Sequence, residues 1–198
     1  MWDERYASVE TAYGTEPNDF LREKLESLAL RPGKALCLAE GEGRNALHLA
    51  RNGWQVTGVD QSRVGLDKLE GQAARENLVV TAVCEDLAHF DLGSAQWDLI
   101  VSVWCHVPPV LRLDLHARVV RALRPGGQLI LEAYHPRQLE LKTGGPPLSE
   151  MMMTLAELRS ELSGLHFVHA EEVEREIHEG PFHQGQSAVT QLVAQRPA

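Results

Sequence analysis

The feature that most constrains this chain is the stretch Leu36-Cys37-Leu38-Ala39-Glu40-Gly41-Glu42-Gly43-Arg44-Asn45-Ala46. A short apolar run ends in two glycines one residue apart, and an amphipathic pattern begins at once. This is the pattern of a strand, a tight turn and a helix N-terminus, the opening unit of a nucleotide-binding α/β sheet. A second apolar run, Trp54-Gln55-Val56-Thr57-Gly58-Val59, ends in Asp60. An acidic residue at the tip of the second strand, roughly 20 residues past the turn, is placed to accept hydrogen bonds from ribose hydroxyls. The plainer role for Asp60 is a cap on the helix that follows.

The charges of the turn narrow the ligand. Gly41-Glu42-Gly43-Arg44-Asn45-Ala46 satisfies the G-x-G-x-x-G/A pattern that lays a pyrophosphate on a helix N-terminus. Glu40 and Glu42 oppose that use. At an effective dielectric near 20, a like-charge pair about 4 Å apart costs about 4 kcal/mol. A ligand with ammonium and sulfonium cations suits an acidic turn, and S-adenosylmethionine is that ligand. A nicotinamide or flavin dinucleotide remains the alternative, with both glutamates turned to solvent.

The chain has 198 residues, 43% hydrophobic and 24% charged. That length predicts one domain, 1–198, burying about 70% of its unfolded surface around one core. A formal net charge of −9 and the lack of a basic stripe argue against a nucleic-acid partner. Met1-Trp2-Asp3-Glu4-Arg5 has no basic-then-apolar leader, and no apolar run approaches the ~20 residues a bilayer span requires. A cytoplasmic protein without a membrane partner is the expectation. Cys37, Cys84 and Cys105 lie at or beside apolar runs and outside any C-x-x-C, so buried free thiols are expected. No metal site is expected, because Phe167-Val168 between His166 and His169 reads as strand.

Along the chain, short apolar runs alternate with helical patterns, which implies parallel strands joined by right-handed crossovers. An N-terminal arm and helix (1–32) carry Pro17, Phe20, Leu21, Leu25 and Leu28 and stop at Pro32-Gly33. Strands are expected at about 35–39, 54–59, 78–84, 97–103 and 128–134. Helices are expected at about 43–52, from the Ser62 cap to about 76, and from Pro108-Pro109 to Arg124-Pro125-Gly126-Gly127. Residues 136–153 hold Gly144-Gly145-Pro146-Pro147 and three methionines, and read as a mobile insertion. A helix at about 154–163 precedes strand-like runs at about 165–178 and 185–195. Their short connection demands an antiparallel hairpin. The expected fold is a Rossmann-like, doubly wound α/β sheet of about seven strands, mostly parallel, closed by that hairpin.

In this order and spacing, the pieces resemble the class I S-adenosylmethionine-dependent methyltransferases over essentially the whole chain. The resembling residues are Gly41 and Gly43, Asp60, Asp86-Leu87, Trp97-Asp98-Leu99-Ile100-Val101-Ser102 and Leu123-Arg124-Pro125-Gly126-Gly127. Trp2-Asp3-Glu4-Arg5-Tyr6, Tyr13-Gly14-Thr15-Glu16-Pro17-Asn18 and Trp104-Cys105-His106-Val107-Pro108 look like the tellurite-resistance-related branch. Two positions depart from the family's turn, with Cys37 where an acid is usual and Ala39 where a glycine is usual. Glu40 is the nearest carboxylate to the place Cys37 leaves without one.

The resemblance implies S-adenosylmethionine as cofactor, S-adenosylhomocysteine as product and a small-molecule methyl acceptor, with tellurite, selenite or a thiol to be tried first. It implies that Glu40, Gly41, Glu42 and Gly43 approach the methionine and ribose, that Asp60 holds the ribose hydroxyls, and that Asp86 with Leu87 meets the adenine. Tyr13, Asn45, Gln61 and Val103 complete the expected cofactor contacts. Methyl transfer from a sulfonium depends on placing a nucleophile near 3 Å from the methyl group more than on an acid or base. No catalytic dyad is evident. His106, just past the fourth strand, is the candidate catalytic residue, its alternative being a packed histidine. Trp2, Arg5 and Tyr13 form a surface arm or a flap over the cofactor, and His178 and His183 flank the hairpin turn as solvated residues or as a closure over substrate. Because the chemistry needs no obligatory side chain, a protein that holds S-adenosylmethionine without transferring its methyl group remains an alternative, and an NAD(P)-dependent oxidoreductase a further one.

Overall fold

The computed structural model describes residues 2–198; Met1 of the expected arm lies outside the described residues. Seven strands form one sheet in the order β3-β2-β1-β4-β5-β7-β6. They are β1 Lys34–Leu38, β2 Gln55–Asp60, β3 Val80–Cys84, β4 Trp97–Val103, β5 Leu123–Tyr134, β6 His166–His178 and β7 Gln184–Gln195. The pairs among β1 to β5 are parallel, while β7 runs antiparallel to both β5 and β6. The helices are α1 Trp2–Ala7, α2 Asp19–Ser27, α3 Arg44–Arg51, α4 Arg63–Arg75, α5 Pro109–Ala122, α6 Gln138–Leu141 and α7 Leu155–Glu161.

The period-two alternation of the central strands divides the core into two layers. Ala35, Cys37, Leu99 and Val101 pack with Phe20 and Leu21 of α2, Leu47 and Leu49 of α3, and Leu66 and Leu69 of α4. Leu36, Leu38, Ile100 and Leu131 face the other way, onto Leu115 and Val119 of α5 and Leu158 of α7. Both faces of β4 are therefore covered, which is why it reads as a nearly unbroken apolar run. Side chains start the helices where the sequence places them. Asn18 accepts from the Leu21 N–H (3.0 Å), Ser62 accepts from the Gly65 N–H (3.1 Å), and Thr154 forms a reciprocal cap with Glu157.

The departures from expectation are local. Residues 2–7, expected as an arm, form the short helix α1. Cys37 and Cys105 are buried, but Cys84 is exposed because β3 is the sheet edge. Strand β5 begins at Leu123, where the Leu123–Trp97 pairing precedes a register shift through Pro125-Gly126-Gly127. The 136–153 insertion is tied down at both ends. Gln138, 1% exposed, accepts from the Ala188 N–H (2.8 Å) and donates to Thr143 Oγ1 (2.8 Å). At the far end Arg112 donates to the Met152 carbonyl (2.8 Å), Thr190 to the Met153 carbonyl (2.6 Å), and the Met153 N–H to Tyr134 O (2.9 Å). The stretch between these anchors lies against the site.

Candidate functional site

The chain crosses between β1 and β4, so the connections leaving their C-terminal ends diverge and open a crevice there. A cavity of about 740 Å³ occupies it. Its walls come from the segments following β1, β2, β3 and β4, from the N-terminal arm, from the insertion and from the β6–β7 turn.

The turn after β1 is built from backbone that few residues adopt. Ala39, Gly41 and Gly43 have φ of 51°, 60° and 91°. A Cβ on Gly41 would strike the Tyr6 hydroxyl, and one on Gly43 would strike the Leu69 side chain. Both positions thus need glycine for conformation and for close packing. Ala39 holds its left-handed conformation at a cost of about 1–2 kcal/mol. Gly41 N–H donates to Asp60 Oδ2 (2.9 Å) and Ser62 N–H to Asp60 Oδ1 (2.8 Å), which locks the carboxylate at the tip of β2. Burial raises the Asp60 pKa. Since each carboxylate oxygen accepts about two hydrogen bonds, Asp60 caps the turn and keeps lone pairs for a ligand. Glu40 accepts from the Ala46 N–H (2.8 Å), and burial pushes its carboxyl up to about 7. Asp86, further along the wall, accepts from the Ala88 N–H (2.8 Å).

Every residue expected at the cofactor site except Gly41 lines this cavity: Glu40, Glu42, Gly43, Asn45, Asp60, Gln61, Asp86, Leu87, Val103 and Tyr13. Two of them are committed to protein partners. Glu42 accepts from Lys68 Nζ (2.7 Å) and the Ala12 N–H (2.7 Å), so its charge secures the N-terminal arm. Lys68 also donates to the carbonyls of Tyr6 (2.6 Å), Val9 (2.8 Å) and Glu10 (2.9 Å). Asn45 accepts from the Asn18 N–H (2.9 Å). The arm reaches the cavity wall through Trp2, Arg5, Tyr6 and Tyr13.

His106 lines the cavity but is poorly suited to take a proton. Its Nε2 accepts from the Tyr134 N–H (2.9 Å) and its Nδ1 lies 3.2 Å from the Trp104 carbonyl. Nδ1 must carry the hydrogen, and both ring nitrogens are engaged. Burial pushes its pKa down to about 3. Of the two expectations for His106, this geometry favours the packed histidine over the catalytic one.

His183, expected at the hairpin turn either as a solvated residue or as a closure over substrate, is 8% exposed and lines the cavity. Its ring sits edge-on to Trp104 (centroids 5.1 Å) and Tyr134 (5.5 Å) and packs on Tyr13 (4.6 Å). Burial lowers its pKa, while the Glu179 carboxylate, 4.0 Å from Nδ1, opposes that shift. His178, its companion in sequence, is exposed. Beneath His183 lies a buried polar network. Glu179 accepts from Arg44 (2.6 Å), Trp104 Nε1 (2.7 Å) and Asn18 Nδ2 (2.9 Å). Glu132, fully buried in β5, accepts from Arg175 (2.7 and 2.8 Å), Asn18 Nδ2 (2.5 Å) and Gln191 (2.6 Å). Burial opposes ionisation of Glu179, yet the neighbouring histidine, arginine and indole hold its carboxyl well below the usual range. Arg44, 8% exposed, lines the cavity, and its Nη1 is buried without a partner among the described residues. Sequence reading missed Arg44, Glu179 and Glu132; the one available signal was Glu132, a charge inside the otherwise apolar run of β5.

The geometry accepts the expected cofactor. Glu40, Asp60 and Asp86 present acceptors and negative charge to one cavity, a donor set that suits a cation bearing hydroxyls and an amine and would repel a pyrophosphate. Comparison with known proteins agrees. Residues 35–127 match a family model described as a methyltransferase domain. The chain is 25% identical to the carboxy-S-adenosyl-L-methionine synthase of Pasteurella multocida, over 66% of this chain and 54% of that protein. It is 30% identical to the 2-heptyl-1-hydroxyquinolin-4(1H)-one methyltransferase of Mycobacteroides abscessus, over 60% of this chain and 54% of that one. The chain therefore spans about half the length of these relatives. The solved structure of TehB from Haemophilus influenzae superposes with a TM-score of 0.75 at 19% identity, covering 90% of this chain and 62% of that one; this likeness shows the fold alone.

Proposed function

We propose that this chain, whose residues 35–127 match a methyltransferase domain, is a class I S-adenosylmethionine-dependent methyltransferase that transfers the methyl group of that cofactor to a small-molecule acceptor. The observation that carries this reading is the pairing, in one cavity, of an acidic end with a buried Arg44–His183 end. When bound, S-adenosylmethionine supplies a methyl group on a positively charged sulfur, open to displacement by a nucleophile. Asp60 would hold the ribose hydroxyls, Asp86 the adenine amine, and Glu40 the ammonium group. Trp2, Tyr6 and Tyr13 would exclude water from the arm side.

At the other end, His183 is the proton acceptor of this reading. Burial keeps its imidazole neutral, and Glu179 stabilises the positive charge it gains. Arg44 Nη1 supplies a donor for an acceptor oxygen as negative charge develops on it. A guanidinium favours oxygen over sulfur, so an acidic hydroxyl or oxyanion suits the site better than a thiol. The relative that methylates a hydroxyquinolone is consistent with an oxygen acceptor.

Calorimetry tests the reading. S-adenosylhomocysteine should bind and raise the melting temperature, by roughly 2–4 °C at 100 times its dissociation constant, while NADH and NADPH should not. A shift with NADH and none with S-adenosylhomocysteine would overturn it.

A further inference from the structure

We propose that the methyl acceptor is a planar, largely apolar molecule bearing one weakly acidic hydroxyl group, its oxygen seated against Arg44 and His183 and its ring against the wall made by α5 and the insertion. The proposal rests on the methyltransferase reading and adds the acceptor's chemical class.

The wall decides the body of the acceptor. Beyond the aromatic group of Trp104 and Tyr134, the cavity is lined by Val107, Pro108, Leu111, Pro146, Pro147 and Met151. None has a polar side chain, and the three prolines have no backbone N–H to offer. The apolar character continues outward, since Val110 and Leu148, each next in sequence to a lining residue, are 84% and 52% exposed. A small oxyanion with several charged oxygens would find no side-chain donor on this wall and would lose much of its hydration there. A flat hydrocarbon framework would lose only water. Trp104 and Tyr134 stack with centroids 4.5 Å apart, a rigid surface for a ring edge or face.

The charge balance decides the head. Arg44 is the only guanidinium at the cavity wall that is buried among the described residues, and it already pairs with Glu179 at 2.6 Å. The network behind it sets two carboxylates, Glu132 and Glu179, against Arg44 and Arg175. Glu40, Asp60 and Asp86 face the same cavity. No net positive charge is available for a dianion, and the buried polar atoms of lining residues that lack a partner among the described residues are Arg44 Nη1, Tyr134 Oη and His183 Nδ1. A single hydroxyl, its oxygen beside the guanidinium and its proton passing to the histidine, fits that balance of charge. As the O–H proton moves to His183, the oxygen forms its bond to the methyl carbon, and the electron pair of the broken C–S bond stays on sulfur.

The test uses 4-nitrophenol, whose ionisation changes its visible absorbance, and 2-naphthol, followed by fluorescence, with the S-adenosylhomocysteine-loaded protein. Both should bind, and the pKa of bound 4-nitrophenol should fall by about one unit beside the guanidinium. Sodium tellurite, sodium selenite and 2-mercaptoethanol at equal concentration should not displace them. Leu111→Asn should weaken both probes by tenfold or more while leaving S-adenosylhomocysteine affinity within twofold. Arg44→Lys should abolish the pKa shift; should that variant fail to fold, the Leu111 result stands alone. With S-adenosylmethionine, 4-nitroanisole should form. Failure of S-adenosylhomocysteine to bind overturns the methyltransferase reading and this proposal with it. Its binding together with tellurite, selenite or thiol in preference to both phenols, or equal phenol binding by Leu111→Asn and the parent, overturns the acceptor class alone.

Discussion

The Tyr134 backbone N–H donates to Nε2 of His106 across 2.9 Å, so a histidine at the cavity wall serves as the acceptor for a strand end. Its pKa of about 3 means that it stays neutral throughout the physiological range. By nuclear magnetic resonance, the His106 ring should show no titration between pH 5 and 8, with the hydrogen on Nδ1. Because its folded pKa lies below the unfolded 6.5, its contribution to stability is complete above pH 6.5 and declines as pH falls toward 3. His106→Ala should leave the Tyr134 N–H unpaired and cost about 1–3 kcal/mol of stability by urea denaturation. His183→Gln should instead lower methyl transfer by about 10²–10⁴-fold with S-adenosylhomocysteine affinity changed only a few-fold. The reverse pattern would return the catalytic assignment to His106.

Glu40 should make cofactor affinity depend on pH. Burial pushes its carboxyl up to about 7, so in the free protein it is fully charged only above that value. An ammonium group favours the ionised form, and S-adenosylhomocysteine affinity should rise between pH 6 and 8 with release of a proton. Calorimetry in buffers of different ionisation enthalpy measures that proton directly. Glu40→Gln should flatten the profile and weaken binding by about 10–100-fold. For the ligand-free protein the sign is opposite. A carboxyl raised above its unfolded value favours the protonated form, so this group removes stability as pH rises from about 4.5 to 7.

Asp60→Asn should weaken S-adenosylhomocysteine by about 10–100-fold, the effect of losing a charged acceptor worth roughly 1.5–3 kcal/mol. The substituted amide can still accept one of the Gly41 and Ser62 N–H bonds, so the fold should persist. Unchanged affinity by calorimetry would reduce Asp60 to a clasp for the glycine turn.

Lys68→Met should release the arm. One ammonium group holds three carbonyls and Glu42 together, so its loss should accelerate amide hydrogen exchange over residues 6–12 and lower stability by about 1–3 kcal/mol. If the arm covers the cofactor, S-adenosylhomocysteine should also dissociate faster in stopped-flow measurements. Exchange at the parental rate would show that the aromatic contacts of Tyr6 and Tyr13 suffice.

What the sequence determined by itself is local and periodic. The apolar run 97–103 with both faces covered, the cap at Ser62, the short link between the last two strands, and the Gly41–Gly43 turn with Asp60 each follow from residues near one another in the chain. Those signals place the sheet, the crevice and the acidic half of the cavity. The other half was decided only by tertiary structure. Arg44, Trp104, Glu132 and the pair Glu179 and His183 come from four separate segments, and a buried charge is tolerable only when partners far along the chain satisfy it. The same holds for the two histidines. His106 and His183 look alike in sequence, each beside apolar residues at the end of a strand or turn. One is silenced by a backbone N–H from β5, and the other is left facing the cavity with a carboxylate behind it. Periodicity carries no information about such pairings, because a hydrogen bond across 28 or more residues is set by how the strands meet rather than by what precedes or follows each residue.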